Sequence, residues 1–108
     1  MTDKELLEAA ARAAGIGLEW NKDANCFWHN PQPERWIAKK WWNPLTDDGD
    51  ALRLAVKLGI DVQHFKESGR VEAWINPWDA REEDYKIDPY AATRRAIVRA
   101  AAAIGIVA

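Results

Sequence analysis

Three aspartates that stand within four positions, Asp47, Asp48 and Asp50, are the first candidates for chemistry in this chain. Converging carboxylates bind divalent cations, and such ions support hydrolysis. The spacing lacks the alternating ligands, the central glycine and the distal glutamate of a calcium-binding loop. The aspartates instead precede an apolar segment, where they would cap a helix and complement its dipole. We interpret them as helix caps, and a metal-dependent hydrolase is the least favoured function.

The only cysteine, Cys26, forms a Cys-x-x-His pair with His29. A structural zinc site needs four ligands, and only His64 remains among the histidines. A cysteine nucleophile would need an orienting group and an oxyanion pocket, and no motif points to either. A lone cysteine excludes an intramolecular disulfide, which is typical of a protein from a reducing compartment. The sequence therefore predicts no enzyme activity, no catalytic or metal-binding residue and no cofactor.

Seven tryptophans in 108 residues are the one compositional anomaly of the chain. The segment 35–42, RWIAKKWW, interleaves tryptophan with basic residues, a pattern that can stack bases and neutralise phosphates. A half-buried strand whose lysines face water explains the same pattern, as does a protein-binding surface. Some indoles should reach the surface as binding anchors. The predicted contact surface comprises Trp36, Lys39, Lys40, Trp41, Trp42, Trp74 and Trp78.

Three arginines near the C-terminus, Arg94, Arg95 and Arg99, are candidate contacts for an anion. The alternative interpretation is the solvated face of an amphipathic helix. The net charge is −2 and the isoelectric point is near 5.7, which argues against a surface that is basic throughout. The net charge still allows a basic patch on one part of the surface.

Three helices are predicted from capping signals and apolar periodicity. They cover 3–14, 51–58 and a segment from Asp88-Pro89 to Gly105. In the second helix, only Arg53 and Lys57 are polar among eight positions. Because such a helix must be covered on more than one side, we expect it to be the most buried element of the domain.

Two hairpins are predicted from apolar strands joined by turn residues. Their strands are 18–20 with 26–28, followed by a weak third strand within 36–42, and 60–65 with 70–75. Residues 76–87 are predicted to be a polar connection. The sequence thus predicts one α+β domain over 1–108. We expect a helix–sheet–helix three-layer sandwich with about three helices and a small antiparallel sheet of three to four strands.

Three strings of the sequence resemble the phage ABA sandwich domain family. They are MTDKELL at 1–7, WNPLTDDGDALRLAVKL at 42–58 and AATRRAIVRAAA at 91–102. The resemblance covers nearly the whole chain and implies a helix–sheet–helix protein encoded by a tailed phage or prophage. It implies no biochemical activity and no functional residues. Residues 18–41 match least, so a variable binding surface is expected there.

No apolar run has the length that a membrane helix needs, and the acidic start of the chain is unlike a signal peptide. We therefore expect a cytoplasmic protein, of a bacterial host if the resemblance holds, without membrane association. The expected function is a non-enzymatic accessory protein that binds a protein partner or a second copy of itself. The alternative is a binder of a small anionic ligand, such as a nucleotide, or of single-stranded nucleic acid.

Overall fold

The fold of residues 1–29 and 40–107 is described by a computed structural model. The helices are α1 (Asp3–Ala14), α2 (Asp48–Leu58) and α3 (Pro89–Val107). One antiparallel sheet contains β1 (Leu18–Asn21), β2 (Cys26–His29) and β3 (Lys40–Trp42), in that order. A second contains β4 (Asp61–Phe65), β5 (Arg70–Asn76) and β6 (Asp79–Asp84), also in chain order. The predicted α+β class is confirmed. The strands of the described residues form two small sheets, where the sequence predicted one.

The first two helices begin at capping side chains, as predicted. The Thr2 hydroxyl accepts the Glu5 amide at 3.2 Å, and the Thr2 amide donates to the Glu5 carboxylate at 3.0 Å. The Asp47 carboxylate accepts the Asp50 amide at 2.8 Å, so α2 begins earlier than predicted. Both helices end at a glycine with positive φ, a conformation that side chains disfavour.

The contact between α1 and α3 is the most extensive between two elements of the described structure. It is built from small, fully buried side chains, including Ala9, Ala10, Ala96, Ala100 and Ala101. A Cβ added at Gly105 would lie 1.8 Å from the Ala9 carbonyl oxygen. The predicted end of α3 at Gly105 is therefore wrong, because this glycine permits the close approach of α1 while the helix continues to Val107.

The prediction that the second helix is the most buried element is also wrong. α2 buries one side, which carries Ala51, Leu54 and Ala55, while Leu52 is 64% and Val56 is 73% exposed. α3 is the central element, since it contacts α1, α2, β5 and β6. Apolar residues on two sides of a helix allow it to pack against other elements on both sides. In this fold only the inner side of α2 is packed.

The predicted hairpin of β4 and β5 is confirmed. Val62 pairs with Ala73, and His64 pairs with Val71. Val71 and Ala73 are fully buried on the side of the sheet that faces α3. This sheet therefore supplies one wall of the core.

Residues 76–87 contain a strand, β6, where the sequence predicted only a connection. Arg81 pairs across the sheet with Ala73, and Glu83 pairs with Val71. These two β6 residues share the core side of the sheet, yet they satisfy their charges with ion pairs. The strand was missed because its inward positions are charged, so the apolar alternation that indicates a strand is absent.

The predicted hairpin of β1 and β2 is confirmed, and β3 extends it on the far side of β2. Trp20 pairs with Phe27, which in turn pairs with Trp42. Phe27 and Trp42 are buried, and the Trp20 ring meets Phe27 edge-on at 4.8 Å. The predicted strand residues 36–39 lie outside the described residues.

Candidate functional site

An exposed apolar surface lies where α2 meets the first turns of α3. We name it the α2–α3 face and define it by Leu52, Val56 and Tyr90, the last of which is 71% exposed. A groove of about 220 Å³ opens between the helices. Its apolar lining comes from Ala51, Leu52, Ala55, Val62, Tyr90 and Ile97. Large exposed apolar side chains around a preformed apolar groove are typical of a contact surface.

Arg94 fixes the position of α2 against α3. Its Nε donates to the Leu45 carbonyl oxygen at 2.8 Å, and its Nη1 donates to the Asp48 carboxylate at 2.6 Å. The Arg94 side chain is mostly buried, and its bond to Leu45 is partly shielded from solvent, whereas Asp48 is exposed. Arg94 was predicted to be an anion contact. In the structure its guanidinium binds the Leu45 carbonyl oxygen and the Asp48 carboxylate and lines the groove, and the anion contact stays a prediction.

Each of the three clustered aspartates takes part in structural contacts. Asp47 caps α2, Asp48 pairs with Arg94, and Asp50 is buried. The Asp50 carboxylate accepts the Asn43 amide at 3.0 Å and Nη2 of Arg53 at 2.7 Å, so it joins the preceding loop to the helix. The capping interpretation is confirmed for Asp47. Among residues 1–29 and 40–107, no group of three or more acidic, histidine or cysteine side chains is placed to hold a metal ion.

A cavity of about 440 Å³, which we name the arginine cavity, lies between α1, α3 and β6. Arg81, Arg95 and Arg99 line it together with Glu83. Arg99 donates to the Glu82 carbonyl oxygen at 3.0 Å and also pairs with Glu83. Two of the three arginines predicted as anion contacts, Arg95 and Arg99, are thus brought together at one cavity.

The other two arginines of the cavity pair at its periphery. Nη1 of Arg95 donates to the Asp3 carboxylate at 3.1 Å, and Nη1 of Arg81 donates to the Asp79 carboxylate at 2.6 Å. Sequence reasoning missed Arg81 because it lies in the segment that was predicted to be a connection. The alternation of charge at Asp79, Arg81 and Glu83 was the signal that could have indicated a strand there.

The tryptophans of the first sheet divide between core and surface. Trp42 is buried, so its predicted place in a contact surface is wrong: its side chain packs in the core on the Phe27 side of the sheet. Trp41 is exposed, and its ring meets Trp28 at a centroid distance of 4.2 Å. Lys40 begins β3, whereas Trp36 and Lys39 lie outside the described residues. Of this segment, Trp41 is the indole that the structure places at the surface.

The tryptophans of the second sheet differ in the same way. Trp74 is half-buried, and its indole nitrogen donates to the Glu72 carboxylate at 3.2 Å. Trp78 lies in the turn between β5 and β6 and is 88% exposed. The exposed indoles therefore lie at different places in the chain, with Trp41 in the first sheet and Trp78 in the β5–β6 turn of the second.

Comparisons with family models, with curated proteins and with solved structures find no match to this chain. Within the described residues, no helix has both the length and the apolar character needed to cross a membrane. The function is therefore inferred from the geometry of the two candidate sites, the α2–α3 face and the arginine cavity.

The outward side of α2 was not predicted, although the sequence carries a signal for it. Arg53 and Lys57 each follow one of the exposed apolar residues, Leu52 and Val56, by one position. Adjacent helix positions are separated by only about a quarter turn. If Arg53 and Lys57 face solvent, Leu52 and Val56 therefore lie near the solvent side as well. Tyr90 lies in the first turn of α3, where its side chain is exposed.

Proposed function

We propose that the protein is a non-enzymatic accessory protein that acts by protein contact, and that its α2–α3 face binds a second copy of the chain. The observation that carries this proposal is the exposure of Leu52 and Tyr90 at an apolar groove, with Val56 exposed about one turn of α2 beyond Leu52. Full burial of a large apolar side chain contributes about 1.5–3 kcal/mol. Covering this surface in both copies would therefore contribute favourably to association.

The charges along α2 favour a copy of the same chain as the partner. Asp47 and Asp48 lie at the start of the helix, Lys57 lies in its last turn, and Leu52 and Val56 lie between them. When two copies of α2 pack antiparallel, the acidic start of each helix lies beside the basic end of the other. The helix dipoles then oppose each other favourably. A two-fold axis generates this arrangement, because it brings the same surface of both copies together.

The phage origin is part of the proposal and is supported by the resemblance of three sequence strings to the phage ABA sandwich domain family. A small protein of this origin would act in the cytoplasm of a bacterial host. The resemblance supplies no catalytic residue, which agrees with a role in binding.

Sedimentation velocity over a range of protein concentrations tests the self-association. We expect the wild type to dimerise and the double variant Leu52→Ser, Val56→Ser to remain monomeric at the same concentrations. Trp78→Ser is the matched control, because it removes an exposed large apolar side chain outside the face. A wild type that is monomeric throughout, or a double variant that still dimerises, contradicts the proposal. Loss of the dimer in Trp78→Ser alone would instead place the interface at the predicted tryptophan surface.

A small anionic ligand is the second candidate function, and the arginine cavity is the observation that favours it. Arg81, Arg95 and Arg99 line the cavity beside a single carboxylate, that of Glu83. Nucleotide or single-stranded nucleic acid binding uses aromatic side chains as stacking platforms. None of the described residues that line this cavity is aromatic. The cavity therefore favours an anion without a base.

A further inference from the structure

We propose that the arginine cavity binds an amphipathic anion, a carboxylate or phosphate monoester that carries an aliphatic chain of medium length. This inference is independent of self-association through the α2–α3 face. The cavity volume of about 440 Å³ lies in the range of small-molecule sites. One end of the cavity carries arginines and fits an anionic head group, and the other end is apolar and fits an aliphatic chain.

The guanidinium groups of the cavity lining favour an anionic head group. Arg81, Arg95 and Arg99 supply three of them. Each is also paired with one carboxylate, that of Asp79, Asp3 or Glu83, so a head group would be recognised through the remaining N–H donors and not through an unpaired positive charge. All three arginines are partly exposed, which leaves their guanidinium groups accessible from the cavity.

The guanidinium groups retain donors for such a head group. In the described residues, the hydrogen bonds of Arg81, Arg95 and Arg99 all use Nη1. A guanidinium carries five N–H donors in a planar fork that matches the oxygens of a carboxylate or phosphate. Nη2 and Nε are thus left for an anion, even while the present ion pairs persist.

The other end of the cavity favours an aliphatic chain. After Arg95 and Arg99, the same side of α3 continues with Ala102, Ala103 and Ile106. Leu6 of α1 adds a further apolar wall. From Arg99 to Ile106 the helix rises roughly 10 Å, which is the length of a medium-chain acyl tail. A ligand that lies along α3 would place its head at the arginines and its tail on this apolar stretch.

Calorimetric titration of the full chain with octanoate and with octyl phosphate tests the proposal. We expect at least one of them to bind about tenfold or more tightly than its isolated parts, which are acetate or inorganic phosphate for the head and 1-octanol for the tail. The tighter of the two amphiphiles identifies the head group. If neither binds, or if 1-octanol binds as tightly as the amphiphiles, the proposal is overturned.

Four variants locate the site. Arg95→Gln should weaken the binding of the preferred amphiphile about tenfold, whereas Arg12→Gln, which removes the same charge from α1 outside the cavity, should leave it unchanged. Ile106→Ser alters the tail end at an exposed position and should also weaken binding, so the test stands if Arg95→Gln fails to fold. Unchanged affinity in Ile106→Ser and Arg95→Gln, or a loss of affinity in Leu52→Ser, would overturn the assignment.

Discussion

α2 and α3 are both rich in apolar residues, but α3 presents alanine where α2 presents leucine and valine. The alanine surface of α3 is buried on α1, and Gly105 lets the two backbones come close. The outer surface of α2 is left exposed at Leu52 and Val56. The nearly all-apolar segment 51–58 was the reason that the sequence analysis placed this helix at the centre. The difference teaches that small side chains can mark the tightest internal contact, while large apolar ones can mark a surface for a partner.

The largest change in the free energy of unfolding should come from a substitution on the buried side of α2, and the exposed side should be much less sensitive. Leu54 is buried, so Leu54→Ala should lower the free energy of unfolding by roughly 2–5 kcal/mol. Leu52 is exposed, so Leu52→Ala should change the stability of the monomer by no more than about 0.5 kcal/mol. Urea unfolding at low protein concentration measures both. Equal losses in the two variants would remove the distinction between an inner and an outer side.

The contact of α1 with α3 should be the next most sensitive. Gly105→Ala forces a methyl group against the Ala9 backbone and should destabilise the protein by about 3 kcal/mol. Gly17→Ala is the matched control, because an added Cβ meets nothing within 4 Å there and Gly17 does not have a positive φ. Thermal unfolding compares the two variants. A Gly105→Ala variant as stable as the control would show that the helices are not in close contact.

Arg94 and Arg95 are neighbours on α3, and their substitution should lower the free energy of unfolding by different, smaller amounts. Arg94→Met leaves the Leu45 carbonyl oxygen and the Asp48 carboxylate without their partner and should cost about 2 kcal/mol. The Arg95 ion pair with Asp3 is more exposed, so Arg95→Met should cost less than about 1 kcal/mol. Urea unfolding of the two variants ranks them. The opposite ranking would contradict the structural role of Arg94.

A smaller effect than that of Arg94→Met should come from the capping box of α1. Thr2→Ala removes the cap and should cost about 1 kcal/mol. Hydrogen bonding from Thr2, first through its backbone amide and then through its side chain, lowers the pKa of Glu5. The stabilisation linked to this shift is complete above the ordinary pKa of a glutamate and is lost as pH falls through the lowered pKa.

The difference in stability between wild type and Thr2→Ala should therefore narrow in acid. Unfolding measured at neutral pH and in acid checks this dependence. A difference that stays constant or widens as pH falls would show that the Glu5 carboxylate does not take part in the cap.

The sequence was sufficient for elements whose signals are local. Thr2 and Gly59 marked helix ends correctly, and the clustered aspartates indicated the start of α2 to within three residues, because capping geometry depends on a few neighbouring residues. The turn of residues 66–69 likewise predicted the hairpin of β4 and β5. Such features could be predicted because the chemistry and the conformation lie within one short segment.

Features that depend on distant partners could not be predicted in the same way. β6 has an inward face made of Arg81 and Glu83, and its burial depends on ion pairs such as that of Glu83 with Arg99. Gly105 has the local signature of a helix stop, and only α1 gives it another role. The arginine cavity shares this property, since its lining comes from three elements that the sequence separates.

The concentration dependence of the melting temperature tests the outward role of α2 most directly, because a dimer is stabilised by mass action. The measurement compares wild type with Leu52→Ala and Leu54→Ala. We expect the melting temperature of the wild type to rise with protein concentration. Leu54→Ala should keep this rise from a lower starting point, whereas Leu52→Ala should start near the wild type and lose much of the rise. A wild-type melting temperature that is independent of concentration, or a rise that Leu52→Ala retains in full, would contradict the account.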